Sequence, residues 1–176
     1  MEDGDRIYIK AGPAGSWQGQ AWDDGVFHSV ATIFLTYTAF GIVSIQFAYA
    51  DERGNRRLSL RRGGAGGTSF ETIQITGPIT SVSGYYWNHV TSLVIDAGGV
   101  RHGPYGSAFG RGTEFSFGAS GTCIRGFHGC SDGDVLRSIG VYIDSATTSR
   151  MRASPSSSTK LLQAPKEESE SPDVRA

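Results

Sequence analysis

Long apolar runs, paired cysteines and a charge of one sign are all scarce in this 176-residue chain. No uninterrupted apolar stretch comes near the roughly 20 residues that cross a bilayer as a helix. The opening MEDGDRIYIK is acidic and lacks an apolar h-region, so it does not read as a secretory signal. Cys123 and Cys130 are the only cysteines, which excludes a disulfide framework and a cysteine-built zinc site. A net charge of -1 provides no global field for nucleic acid or for an acidic membrane. The sequence is therefore expected to be a soluble, cytoplasmic protein without nucleic-acid partners or membrane insertion.

Helical periodicity is nearly missing too. Apolar and polar residues alternate instead. Ile33, Leu35 and Tyr37 share one strand face, as do Ile45, Phe47 and Tyr49, Ile73 with Ile75, and Val141 with Ile143. Gly41, Gly54-Asn55, Gly77-Pro78, Gly98-Gly99 and Gly118 punctuate these runs, as turns between short strands require. About twelve strands fit into residues 6–143, roughly 11 residues per strand and turn, which is the spacing of a sandwich, barrel or prism. After Ile143 the composition shifts to Ser, Pro and charge. Residues 145–176 are expected to form a disordered tail on a domain spanning 1–144, because they cannot bury enough apolar surface to offset their ordering entropy.

An internal repeat sets the architecture. Ile42-Val43-Ser44-Ile45-Gln46-Phe47 matches Val90-Thr91-Ser92-Leu93-Val94-Ile95 and Leu136-Arg137-Ser138-Ile139-Gly140-Val141, at offsets of 48 and 46 residues. A glycine motif also recurs, as Gly12-Pro13-Ala14-Gly15, Gly63-Gly64-Ala65-Gly66 and Gly103-Pro104-Tyr105-Gly106. One four-stranded sheet buries a single face and is not stable alone, whereas three facing a common axis bury all three inner faces. An all-β fold with pseudo-threefold symmetry follows, with Ile45, Leu93 and Ile139 in equivalent inward positions.

Further motifs carry a family resemblance: Trp22-Asp23-Asp24-Gly25, Val82-Ser83-Gly84-Tyr85, His102-Gly103-Pro104-Tyr105-Gly106, Gly126-Phe127-His128-Gly129 and Ser138-Ile139-Gly140-Val141-Tyr142. In this order the chain resembles the jacalin-related lectins over residues 6–143. The resemblance implies a β-prism of three four-stranded Greek-key sheets that binds carbohydrate without catalysis or cofactor, often as a homo-oligomer. In that family the sugar lies between the first glycine loop and a last hairpin loop reading Gly-x-x-x-Asp. Carried over, Gly133 is the loop glycine, Asp134 and Val135 supply backbone N–H groups, and Gly15 and Ser16 occupy the first loop. Tyr85 and Tyr86, in a neighbouring stretch 84–89, would meet further sugar units. Mannose- or galactose-type glycans are the ligands so implied.

The Asp position holds Arg137, and the loop is one residue longer, with Ser131-Asp132 before Gly133. The equivalent slots elsewhere hold Val43 and Thr91. A guanidinium only donates hydrogen bonds, whereas a carboxylate accepts them. Three readings stay open: Asp132 or Asp134 replaces the acceptor; the ligand is an acidic glycan; or the domain is a protein-interaction scaffold without monosaccharide binding. Tyr85-Tyr86-Trp87 either contacts ligand, caps the core or joins a dimer contact. Trp17 either lines the site or shields it. Arg53, Arg56, Arg57, Arg61 and Arg62 read as charges on an edge strand, against the alternative of a patch for anionic ligands. No Lys-Ser/Thr and no helix follow Gly63–Gly67, so that run is not a phosphate loop. His128 with Cys130 and Asp132 with Asp134 have too few partners for a metal site, and no catalytic constellation stands out.

Overall fold

The structure is a computed structural model, and it describes residues 6–145. The expected tail lies outside the described residues apart from its first member, Ser145. Each repeat copy begins with a hairpin of two long strands. β3 (Ser29–Thr38) and β4 (Gly41–Ala50) pair along their length through a tight turn at Ala39-Phe40. The alternation read from the sequence faces Ile33, Leu35, Ile45 and Phe47 into the core, all fully buried. β5 (Arg56–Leu58) and β6 (Arg62–Gly63) both pair with the other edge of β4, as one interrupted strand, and β7 (Ser69–Gln74) pairs with β3. The interruption falls at Ser59, whose N–H donates to Phe47 O at 2.8 Å and whose Oγ accepts from Phe47 N at 3.0 Å.

The second unit repeats this order with β8 (Ile79–Tyr86), β9 (Val90–Ala97), β10 (Val100–Gly106) and β11 (Thr113–Gly118). In both units the fourth strand returns beside the first, which is the Greek key. The third unit combines distant parts of the chain. β12 (Ile124–Ser131) and β13 (Leu136–Asp144) form its hairpin, and β1 (Tyr8–Gly15) and β2 (Gln20–Asp23) flank it. A lone bridge, Ile124 to Ile79, joins the second and third sheets. The architecture is thus three four-stranded Greek-key sheets. Ile45, Leu93 and Ile139 are each 0% exposed, in equivalent positions of β4, β9 and β13.

The glycine repeat needs one correction. Gly15 pairs with Ser138, Gly106 with Ser92, and Gly63 with Ser44, so Gly63 matches the last glycine of the other copies rather than the first. Each of the three has a positive φ, and an added Cβ would collide with the carbonyl of Arg137, Thr91 or Val43. That shared requirement, close backbone approach with left-handed φ, explains why glycine recurs there.

Aromatic side chains fill the seam between the first and third sheets. Phe127 stacks on Phe47 with centroids 4.2 Å apart, and Tyr49 stacks on Phe27 at 3.8 Å. Beside them lies a buried polar cluster. Asp24, just past β2, accepts from Arg62 Nη2 and from the Tyr49 hydroxyl, both at 2.8 Å, while the Arg62 guanidinium lies 5.3 Å from the Trp22 ring centroid. The arginine-rich stretch therefore divides: Arg56 and Arg57 are exposed on an edge strand, while Arg62 turns inward to Asp24.

Candidate functional site

Antiparallel pairing brings the turns after β1, β3, β6, β8, β10 and β12 to one end of the prism. Three equivalent backbone hydrogen bonds tie a glycine loop to a hairpin there. Ser16 N donates to Arg137 O at 3.1 Å, Gly64 N to Val43 O at 3.0 Å, and Ser107 N to Thr91 O at 2.8 Å. The expected equivalence of Arg137, Val43 and Thr91 is therefore a geometric one.

At the first of these junctions the expected residues meet. Gly15 and Ser16 lie against Arg137, near the start of β13, just after the hairpin 132–135. The Ser16 hydroxyl donates to Asn88 O at 2.8 Å, and Arg137 Nη1 donates to the same carbonyl at 3.2 Å. Asn88 thus links the hairpin of the second unit to the site. Only its backbone takes part in these two bonds, so residue type gave no signal.

Asp132 is the centre of the hairpin. Its Oδ1 accepts from Asp134 N and from Val135 N, both at 2.9 Å, and its Oδ2 accepts from Arg137 Nε at 2.5 Å. Burial pushes the Asp132 carboxyl up, but the Val135 and Asp134 N–H groups and the Arg137 guanidinium together hold it below its ordinary value. The two N–H groups expected to face a ligand, and the guanidinium beside them, are all engaged by this one side chain. Gly133 differs: its φ is not positive, and an added Cβ would meet no protein atom within 4 Å. Open space lies in front of it.

Tyr85 and Tyr86 are placed differently from the expected loop. Both belong to β8 and point to opposite faces of its sheet. Tyr86 packs on the core with its ring 6.3 Å from Phe115, while Tyr85 lies on the outer face beneath Gly110. The period-two alternation of a strand thus separates two residues that are adjacent in sequence. Of the three aromatics only Trp87 stands at the tip, 73% exposed. Trp17 is 78% exposed and overhangs a groove of about 440 Å³ lined by Lys10, Pro13, Ala21, His128 and Cys130. Phe40 and Phe109, at the tips of two further turns of this end, are also largely exposed. Both lie outside the motifs that point to the site in the sequence.

No helix among the described residues is long and apolar enough to cross a membrane. Comparison with known proteins places the geometry. The family model for the jacalin-like lectin domain matches residues 11–142. Jacalin-related lectin 3 of Arabidopsis thaliana is 38% identical over 141 residues, covering 74% of this chain but 23% of that protein. Protein RESTRICTED TEV MOVEMENT 1 of Arabidopsis thaliana is 32% identical over 151 residues, covering 77% of this chain and 86% of that protein. Among solved structures, the artocarpin–mannotriose complex is similar with a TM-score of 0.68 at 28% identity, covering 79% of this chain and 97% of artocarpin. With the prism, the three glycine-loop junctions and a match across most of the chain, this protein belongs to the jacalin-like lectin domain family.

Proposed function

We propose that this protein is a non-catalytic carbohydrate-binding module that engages glycans at the loop end of the prism, across Gly15-Ser16 and the hairpin 132–137. The observation that carries this reading is the junction itself. Two loops separated by more than a hundred residues meet at Ser16 N and Arg137 O, and Gly133 leaves clear space beside them. Exposed Trp17 and Trp87 flank it, offering faces for the C–H surfaces of sugars. The likeness to artocarpin, solved with mannotriose, supports sugar as the ligand class. A glycan array carrying neutral and acidic glycans, probed with the full chain, tests the proposal; silence on every glycan would refute it.

A second reading has its own support. Every hydrogen-bonding group named at this junction already has a partner within the protein, which suits a scaffold domain without sugar binding. We also read the protein as cytoplasmic and self-associating. Its two cysteines are free, which suits a reducing compartment. Edge strand β1 pairs on one side only and exposes Ile9, with Ile7 exposed just before it. Sedimentation across a concentration series checks the self-association, which a monomer at all concentrations would contradict.

A further inference from the structure

We infer that Asp132 is an internal ligand, and that the cradle it fills recognises a carboxylate, so that the glycans seated at this hairpin are acidic ones that replace Asp132 with a carboxylate of their own. The inference rests on the sugar-binding reading above and specifies its ligand class. Three donors converge on the bound group: Asp134 N, Val135 N and Arg137 Nε. Three converging donors, one of them charged, fit an anion. A guanidinium beside backbone N–H groups holds a planar carboxylate through charge-assisted bonds, and the protein displays that complex with its own side chain. A neutral hexose that displaced Asp132 would leave Arg137 without a counter-charge in a mostly buried place; its side chain is 16% exposed. A uronic-acid carboxylate would restore each of the three bonds. The Asp132 side chain is 25% exposed, so the exchange can proceed from solvent without unfolding the prism.

The fixed part of the cradle is well supported. Arg137 is anchored a second time by Asn88 O, and the backbone of Gly133 and Asp134 rests directly on Gly64, where an added Cβ would stand 2.5 Å from Asp134 O. Removing the Asp132 carboxylate should therefore leave the donors close to where they are. The neighbouring Asp134 side chain is exposed and does not belong to the cradle.

The test is rescue by an external carboxylate in the full chain. Asp132→Ala should melt at a lower temperature than wild type. Sodium acetate or D-glucuronate should recover part of that loss, where sodium chloride of equal ionic strength and methyl mannoside do not. The amide proton shifts of Asp134 and Val135 should move back toward their wild-type values in the same titration. Asp132→Ala combined with Arg137→Gln should lose the response. If Asp132→Ala does not fold, Asp132→Asn keeps the side chain in place without its charge, and D-glucuronate should bind it at least about tenfold more tightly than wild type. An equal response of wild type and Asp132→Ala to acetate would overturn the inference, as would rescue by methyl mannoside. A tetraglutamate peptide that outcompetes D-glucuronate would overturn the assignment to glycans. The two proposals fail differently. Acetate rescue with a silent glycan array removes the lectin reading and leaves the carboxylate cradle. Glycan binding without rescue does the reverse.

Discussion

Arg137 shows how one side chain changes the meaning of its neighbours. It is a donor standing where the resemblance expects an acceptor. The structure pairs it with Asp132, from the loop that the resemblance makes one residue longer, at 2.5 Å. Converting Arg137 alone to Asp would therefore bring two carboxylates together rather than restore a sugar site. Arg137→Asp is expected to lower the melting temperature and to show no heat with methyl mannoside in calorimetry. Deleting Asp132 as well should produce millimolar mannoside binding, an affinity of about 4 kcal/mol; mannoside binding by the single variant would contradict this account. Proton linkage offers a second check. The Asp132 carboxyl is held below its ordinary value when folded, so the unfolded chain takes up its proton first. Its stabilising contribution is present above about pH 4 and disappears as the pH falls through the folded value. The difference in melting temperature between wild type and Asp132→Asn should accordingly be constant near neutrality and shrink below about pH 4.

Among the elements, β12 and β13 show what strand periodicity revealed and what it did not. Alternation identified which residues face inward, because a period of two leaves no other choice once one face is buried. It said nothing about contacts across strands on the outer face. There the His128 ring lies over Gly140 of β13 and donates from Nε2 to Ala11 O of β1 at 2.9 Å, so one side chain spans three strands. Burial lowers the His128 pKa, although its bond to the Ala11 carbonyl acts the other way. Gly140 was legible as part of a repeated motif, but its reason was not: an added Cβ would overlap the His128 ring and stand 2.6 Å from Ala11 O. Gly140→Ala should cost about 1–3 kcal/mol by overpacking. A shift of the urea midpoint at unchanged slope would measure it, and no shift would mean that the ring can move aside. The alignment of the glycine repeat is hidden from the sequence for the same reason. Gly63 and its neighbours offered several glycines in a row, and only the pairing to Ser44 shows which one carries the left-handed turn.

At the scale of the whole molecule, the threefold arrangement was readable because each hairpin repeats an apolar–Ser–apolar pattern, and buried positions tolerate few alternatives. The ties between sheets were not readable, since they join residues unrelated by the repeat. Asp24 and Arg62 form such a tie, linking the third sheet to the edge of the first, with the Asp24 side chain 4% exposed. Asp24→Ala would strand a mostly buried guanidinium and leave the Tyr49 hydroxyl without its acceptor. A loss of about 3 kcal/mol is expected, read by urea denaturation as a single transition. Two separated transitions would show that the sheets unfold independently. The third sheet has a further consequence, one of timing. Its outer strands β1 and β2 are translated before every other strand of the prism, yet they pair with β13 and β12, which follow all the others. Until β12 emerges β2 has no strand to pair with, whereas the hairpins β3–β4 and β8–β9 can already form. The first strands of the prism to be translated are thus the last to be paired, and the growing prism carries two unpaired strands until the β12–β13 hairpin emerges to close it.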